Sequence, residues 1–203
     1  MIYVDVARVV AVAKDAITGI AAAVAAVVAA KGLQTWKRQL FGNMNYELAR
    51  RLLRSAYRVR EAIRWVRNPL ILPAETASAL KGAGLNDSPP ESFDGRGEEL
   101  VYQARWQKVA EANVEFWAEM LEAEALWGPE VRQRGDALAS CTGQLYTALW
   151  RWLSRRQSPI KPDRMDEIEA IIYSAGNAST KFDDDLKAAL EGIEAQVRRH
   201  LKF

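Results

Sequence analysis

Cysteine and histidine are almost absent from this sequence of 203 residues, which contains only Cys141 and His200. A single cysteine excludes an internal disulfide bond and agrees with a reducing compartment. The same scarcity leaves almost no material for a zinc site or a nucleophilic triad. The sequence also lacks HExxH, CxxC and GxSxG motifs and a Gly-rich phosphate loop. We therefore expect no enzymatic activity, no catalytic residue, no metal site and no cofactor.

The few remaining candidates for chemistry have structural explanations. His200, near the C-terminus, is expected to be a solvated residue at a helix end. Cys141 falls on the apolar side of a helix, where a buried cysteine acts as a small hydrophobe. The three consecutive acids Asp183, Asp184 and Asp185 begin a helix, and the helix dipole accounts for them without a metal ion.

No segment has the alternating pattern of a strand, and there is no internal repeat or low-complexity tail. Apolar residues instead recur at spacings of three and four, from Leu48 to Val66 and from Val131 to Trp152, and in a near-heptad stripe from Tyr102 to Trp127. These patterns are typical of helices, and we predict that these sides face inward. We predict an all-α protein with a single N-terminal transmembrane helix and a cytoplasmic bundle of about five helices. The predicted divisions are a transmembrane helix over 1–31, a juxtamembrane basic connector and helix over 32–67, a Pro/Gly-rich connector over 68–95, and the cytoplasmic helical bundle over 96–203.

The transmembrane prediction comes from residues 9–30, which carry only the adjacent charges of Lys14 and Asp15. A helix of this length rises about 33 Å, close to the hydrocarbon thickness of a bilayer. The two charges must then enter the membrane or lie at its edge. Residues 1–8 have no excess of positive charge, which argues against a cleaved signal peptide. The alternative is an Ala-rich core helix of a soluble bundle.

The two sides of this helix differ in chemistry. The branched side suits lipid and comprises Val10, Ile17, Ile20, Val24, Val27 and Val28. The opposite side is small and faintly polar, which suits close packing against another helix. We predict that copies assemble around this small side as a pore. The predicted pore-lining residues are Asp15, Thr18, Ala22, Ala25, Ala26 and Ala29. A ring of Asp15 carboxylates would favour cations, and the alanines below it would form a narrow apolar gate.

Positive charge is concentrated after this helix. Residues 31–67 contain ten Lys or Arg and two Glu, which predicts an external N-terminus and a cytoplasmic C-terminal part. Trp36 lies beside two basic residues, as is typical of a membrane interface. Gly32 is expected to break the first helix, and Asn43 or Asn45 to cap the second, which ends at Asn68.

The second helix has an arc of seven arginines, from Arg50 to Arg67, interleaved with Tyr57 and Trp65. Their partner must be anionic, and three partners remain open: lipid headgroups, the acidic third helix, and a nucleotide or short nucleic acid. The predicted polyanion-binding residues are Lys37, Arg38, Arg50, Arg51, Arg54 and Arg58.

Four more helices are predicted in the remainder of the chain. They cover 97–127, with an acidic outer face; about 129–157; 163–175, closed by Gly176; and the final segment, where Thr180 and Asp183 form a capping box. The connector before them is expected to contain one helical turn over 75–80.

The stretch TWKRQLFGNMNYELARRLLRSAYRVREAIRWVRNPLILPAE, residues 35–75, resembles small bacterial proteins with one N-terminal span and a helical cytoplasmic domain. The layout is similar to the membrane effectors of bacterial anti-phage systems, in particular that of the Hailong system. There, a nucleotidyltransferase makes short DNA oligomers that hold a channel closed. The resemblance covers the architecture and this stretch, about a fifth of the chain, and it assigns no role to any residue. It implies the bacterial inner membrane and a gating nucleotide or short DNA.

The sequence thus predicts a homo-oligomeric ion channel that acts as an effector in anti-phage defence. Its expected partners are further copies of itself, the lipid bilayer, and short DNA oligomers or nucleotides made by a partner nucleotidyltransferase. The competing hypotheses are a membrane-anchored helical scaffold that binds proteins without conducting ions, and a wholly soluble bundle.

Overall fold

A computed structural model describes residues 2–85, 96–156, 158, 160–173 and 179–201, with side chains for all of these except 2–7, 15, 96 and 156. These residues form six α-helices and no strand, which confirms the all-α class with a long apolar N-terminal helix before a helical domain. The helices are α1 (Ile2–Val66), α2 (Pro73–Gly82), α3 (Arg96–Trp127), α4 (Glu130–Leu153), α5 (Pro162–Ile172) and α6 (Lys181–His200), with a 3-10 turn at Ser154–Arg156.

The chain divides into two compact units, Met1–Tyr46 and Glu47–Phe203. The predicted break at Gly32 is wrong, because α1 is a single helix from Ile2 to Val66. Asn43 and Asn45, expected to cap a new helix, lie inside it. Glycine costs only about 1 kcal/mol relative to alanine in a helix. This cost is too small to end the helix by itself. Gly32 also does not adopt the positive φ with which a glycine commonly terminates a helix.

The core of the second unit is formed by the apolar sides of five helices, α1, α3, α4, α5 and α6. In α1, the predicted inward residues at spacings of three and four are all buried, from Leu48 to Val66. The predicted inward side of α4 is also confirmed, including Leu138, Leu145 and Trp152. Phe116 and Met120 are buried in α3, whereas Trp106 of the same predicted stripe is only half-buried. Hydrophobic periodicity therefore predicts which side of α1, α3 and α4 is buried.

Helix ends follow the turn chemistry of the sequence. Gly128 adopts a φ of 90° after α3, a conformation that favours glycine. The capping box of α6 is confirmed, because Thr180 and Asp183 exchange side-chain and backbone hydrogen bonds. The 3-10 turn replaces the last turn predicted for α4, whose expected end at Gln157 lies outside the described residues. The predicted close of α5 at Gly176 also lies outside them, as do residues 86–95 of the connector.

The predicted single turn in the connector is a full helix, α2, with Pro73 in its first turn. None of the side chains of α2 is buried. Hydrophobic burial of its own residues therefore does not account for the stability of this helix. Instead, the guanidinium of Arg105 on α3 bonds Glu75 of α2 and the carbonyl oxygens of Asn68 and Leu70. Arg105 is itself only 1% exposed, and it anchors the connector to α3.

Arg67 was expected on the exposed arginine arc, and this prediction is wrong because Arg67 is 1% exposed. Its guanidinium bonds the carbonyl oxygens of Ile171 and Tyr173, at 2.7 and 3.0 Å, and forms an ion pair with Asp183. The carbonyls at a helix C-terminus have no partner inside the helix. Arg67 supplies donors to the end of α5, and its guanidinium lies 4.6 Å from the centre of the Phe182 ring.

Candidate functional site

The N-terminal unit exposes an apolar helix. Every described side chain between Arg8 and Phe41 is exposed. An 18-residue window of α1 has a mean hydropathy of 1.9, and none of it is buried. One helix is therefore long and apolar enough to cross a membrane. A core helix of a soluble bundle would be covered by its own chain, whereas this segment is not.

The predicted pore-lining residues lie on this exposed segment. Thr18, Ala22, Ala25, Ala26 and Ala29 are all exposed. The Thr18 hydroxyl donates to the carbonyl oxygen of Lys14 at 2.8 Å. This bond satisfies the hydroxyl proton within the helix, as an apolar environment requires. The remaining predicted residue, Asp15, lies in the helix, but its side chain is outside the described residues.

In the second unit, α1 and α3 border a groove of about 770 Å³, which contains three of the seven arginines of the arc; these three, Arg50, Arg54 and Arg58, are called the arginine row. Its apolar part is formed by Leu53, Tyr57, Ala62, Trp65 and Ala112. Its charged part consists of Arg50, Arg54, Arg58, Lys108, Glu61, Glu111 and Glu115. Ligand pockets often combine an apolar wall with a few polar groups that fix orientation. This groove has that composition, with four cations and three carboxylates.

Two of the predicted polyanion ligands are paired within the chain. Arg51 bonds Glu119 at 2.9 Å and also Glu122, and Arg58 bonds Glu115. The acidic third helix, one of the three candidate partners, is therefore the neighbour of these two arginines. The hydrogen bonds to Glu119 and Glu122 raise the pKa of Arg51. Such half-exposed pairs contribute only about 0–1 kcal/mol each, so an anion of higher charge can compete for them.

The other predicted ligands have weak partners or none. Arg50 lies 3.6 Å from Glu47, and both side chains are more than half exposed. In the part of the chain that the structure describes, Arg54 forms no ion pair and lies exposed in the groove. Lys37 and Arg38 are exposed on the N-terminal unit. Arg50 and Arg54 are thus the two arginines of the groove that remain most available to an anion.

The aromatic residues of the groove lie beside its cations. The ammonium of Lys108 is 5.5 Å from the centre of the Trp65 ring, and Trp65 is 39% exposed. Tyr57 donates a hydrogen bond to Glu194 at 2.8 Å, which holds its ring in place. A planar ring of a bound ligand can stack on the exposed indole of Trp65, while an anionic group of the same ligand binds an arginine of the groove.

Sequence reasoning did not identify the α3 wall of the groove. Lys108, Glu111 and Glu115 lie on one side of α3 because they are three and four residues apart. That spacing indicates a mixed-charge surface, whereas the predicted acidic face of α3 includes only the glutamates. The sequence left the acidic third helix open as one of three partners of the arginines, and the groove combines charges of both signs.

Two of the three isolated reactive sites have structural contacts that the structure describes in full. Cys141 is buried, and burial raises the pKa of its thiol. Asp183 belongs to the capping box and to the Arg67 ion pair. His200 was predicted to be solvated, but it is only partly so. Its ring stacks on Trp127, with the ring centres 4.6 Å apart. Within the described residues, no cluster of three or more His, Cys, Asp or Glu could hold a metal ion.

No family model, no curated protein and no solved structure matches this chain. The function must therefore be argued from the exposed helix and the groove themselves.

Proposed function

We propose that the protein is a homo-oligomeric membrane ion channel whose pore is formed by the N-terminal segments of α1 from several copies. The observation that carries the proposal is the exposure of every described side chain between Arg8 and Phe41, the long apolar run included. Burial of one valine or isoleucine side chain contributes about 1.5–3 kcal/mol. Removing this long apolar surface from water strongly favours insertion into a bilayer.

The chemistry of the two sides supports assembly as well as insertion. Branched residues such as Val24 suit contact with lipid tails, whereas alanines such as Ala26 allow close approach of a second helix. A helix that only anchors a protein does not require the small side. Several copies that pack through it would enclose Asp15 and Thr18 near one end and the alanines below them. A carboxylate ring at that position favours cations.

The orientation follows from the excess of basic residues that begins at Lys31. With these residues in the cytoplasm of a bacterial cell, the N-terminus is external and the helical domain cytoplasmic. The protein is then a single-pass protein of the inner membrane.

The groove between α1 and α3 is the proposed ligand site, and a nucleotide or short single-stranded DNA is the proposed ligand. Arg50 and Arg54 would meet phosphates, and Trp65 would stack on a base. The resemblance of the chain's layout to membrane effectors of anti-phage systems supports a role in defence, with the ligand made by a partner nucleotidyltransferase.

Membrane depolarisation in living cells tests this function. Expression of the protein in its conducting state should depolarise the cell and stop growth. Ala26→Leu should abolish both effects by filling the pore, whereas Val24→Leu, on the lipid-facing side, should leave them intact. If neither variant changes toxicity, or if the cell stays polarised in every ligand state, the pore does not exist.

The second candidate is a membrane-anchored scaffold that conducts no ions. The pairing of Arg51 and Arg58 with glutamates of α3 favours it, because these charges then have a structural role. A scaffold would remain toxic or active after Ala26→Leu, so the same pair of variants distinguishes the two functions.

A further inference from the structure

We infer that the closing constriction of the pore is a ring of Leu33, Trp36 and Leu40, which lie beyond the uncharged part of α1. This inference rests on the proposed channel function and moves the gate away from the alanines. It arises from the uninterrupted course of α1, which the sequence did not predict.

These three residues lie on the same side of α1 as the small residues of the span. Because α1 is unbroken, the side of the helix that carries Ala22, Ala26 and Ala29 can be followed past Gly32. At about 100° per residue, Leu33, Trp36, Leu40 and Met44 fall within the same arc of roughly 100° as those alanines. The side is therefore small within the span and bulky after it.

The bulky part of this side is uncovered in the single chain. Leu33 is 54% exposed, Trp36 59% and Leu40 44%. Three large apolar residues at helical spacing form a stripe that requires a partner. All of these positions belong to the N-terminal unit, Met1–Tyr46.

The opposite side of α1 changes its chemistry near Lys31. Before that residue it carries Val24 and Val28, which suit lipid. After it, the same side carries Thr35, Arg38 and Asn45, which suit water. The outer surroundings of the helix therefore change from lipid to water. The small and bulky side carries Asp15 and Thr18 near its start and is apolar from Ala22 to Leu40.

A second copy of the same helix is the partner that accounts for both parts of this side. Lipid can cover the segment before Lys31, but it does not explain an apolar stripe opposite a polar side in water. The α1 helix of a neighbouring copy can pack along this side both in the lipid and in the water beyond it. Continuity with the proposed alanine interface thus assigns the stripe to contact between copies.

Side-chain size then determines where the pore closes. Alanine projects only a methyl group toward the axis, whereas leucine and tryptophan project four and ten side-chain heavy atoms. Leu33 and Leu40 are separated by about 10 Å along the helix. A bundle of this kind is widest at the alanines and is closed by an apolar ring below them, where dewetting blocks ions.

Disulfide crosslinking between copies tests the contact in the full-length protein in membranes. Single cysteines are introduced at Ala26, Leu33 and Leu40 in a Cys141→Ala background, with Thr35→Cys and Arg38→Cys as outward-facing controls. We expect crosslinked dimers for the first three and at least about tenfold less for the controls, since cysteines must lie within about 7 Å between Cα atoms.

The crosslinking outcomes separate this inference from the channel function. If Ala26→Cys crosslinks but Leu33→Cys and Leu40→Cys do not, lipid covers the stripe; the inference is overturned while the assembly remains. If none of the three crosslinks, the assembly itself is wrong. Equal crosslinking of the outward controls also overturns the inference.

Ion leak tests the gate independently of the contact. The wild-type protein is reconstituted in liposomes, and the ligand state in which it does not conduct, oligonucleotide-free or oligonucleotide-bound, is used for the comparison. In that state, Leu33→Ser combined with Leu40→Ser should raise the ion leak about tenfold or more, because a polar ring stays wetted. The matched control, Gln34→Ser with Arg38→Ser on the other sides of the helix, should leave the leak unchanged. A closed pore in the first variant would overturn the placement of the gate.

Discussion

Arg105 holds Glu75 through two hydrogen bonds, from Nε to Oε1 at 2.6 Å and from Nη2 to Oε2 at 2.8 Å. The same guanidinium bonds the carbonyl oxygens of Asn68 and Leu70, each within 2.7 Å. Planar, two-pronged recognition of this kind requires arginine rather than lysine. A single buried side chain therefore connects α3 to α2 and to the connector before it.

We expect Arg105→Ala to destabilise the helical domain by about 3–5 kcal/mol, because it leaves Glu75 and two carbonyls without their donor. Arg64→Ala should change stability by less than about 0.5 kcal/mol, since Arg64 is exposed. Urea unfolding followed by circular dichroism measures both. Equal stability of the two variants would show that the buried arginine contributes nothing.

The domain should lose stability in acid. The hydrogen bond from Arg105 lowers the pKa of Glu75. Burial alone would raise the pKa of Asp183, but hydrogen bonds from Arg67 and Thr180 outweigh it and lower that pKa. A carboxyl with a lowered pKa in the folded state stabilises the fold above its ordinary pKa and loses this contribution as the pH falls through the folded value.

The free energy of unfolding should therefore be flat near neutral pH and should fall below about pH 4. Glu75→Gln combined with Asp183→Asn should lower stability at pH 7 and weaken its dependence on pH. The comparison is made by unfolding in urea at pH 7 and pH 3. An unchanged acid limb in the double variant would assign the loss to other carboxyls.

Arg50 and Arg54 should carry the binding of a short single-stranded oligonucleotide. Arg50→Glu with Arg54→Glu should weaken this binding by at least about tenfold and reduce its salt dependence, because phosphate contacts release counterions. Arg58 is unsuitable for this test because its loss would also leave Glu115 unpaired. Fluorescence anisotropy at several salt concentrations gives both quantities.

Lys181→Glu combined with Lys187→Glu, both on the exposed surface of α6, is the matched charge control for the groove variant. It should leave oligonucleotide affinity nearly unchanged. If the groove variant binds as well as the wild type, the row serves structural ion pairs alone.

Cys141 should resist alkylation in the folded protein. The side chain is buried, and burial raises the pKa of its thiol; both effects suppress the reactive thiolate. A maleimide at pH 7 should modify the protein only after unfolding in urea, as measured by intact mass. Rapid modification of the native protein would show that α4 is less well packed than described.

Local patterns predicted much of the fold. The 3–4 spacing from Leu48 to Val66 identified the buried side of α1, and Thr180 with Asp183 identified the start of α6. Both signals act within a few residues. The continuity of α1 was not predicted, because a glycine between two helical patterns does not reveal whether it breaks the helix.

The long-range polar contacts were also missed. Arg67 resembles its exposed neighbours in sequence, and only the folded chain brings Asp183 and the end of α5 to it. Prediction of the groove also requires the folded structure, because the contact between Lys108 and Trp65 joins α3 to α1. The sequence therefore identified the arginines, their interleaved aromatics and the acidic third helix as a candidate partner, but not which arginines pair with it or that Lys108 joins the groove.

Ion selectivity in a planar bilayer tests the channel most directly. With unequal potassium chloride on the two sides, the purified oligomer should conduct in one of its two ligand states, oligonucleotide-free or oligonucleotide-bound. Its reversal potential should lie close to the equilibrium potential of potassium, which indicates preference for cations. Asp15→Lys should move that potential toward the chloride side, because the ring then carries positive charge. Absence of conductance in both ligand states, or a reversal potential that Asp15→Lys leaves unchanged, would contradict the proposed pore.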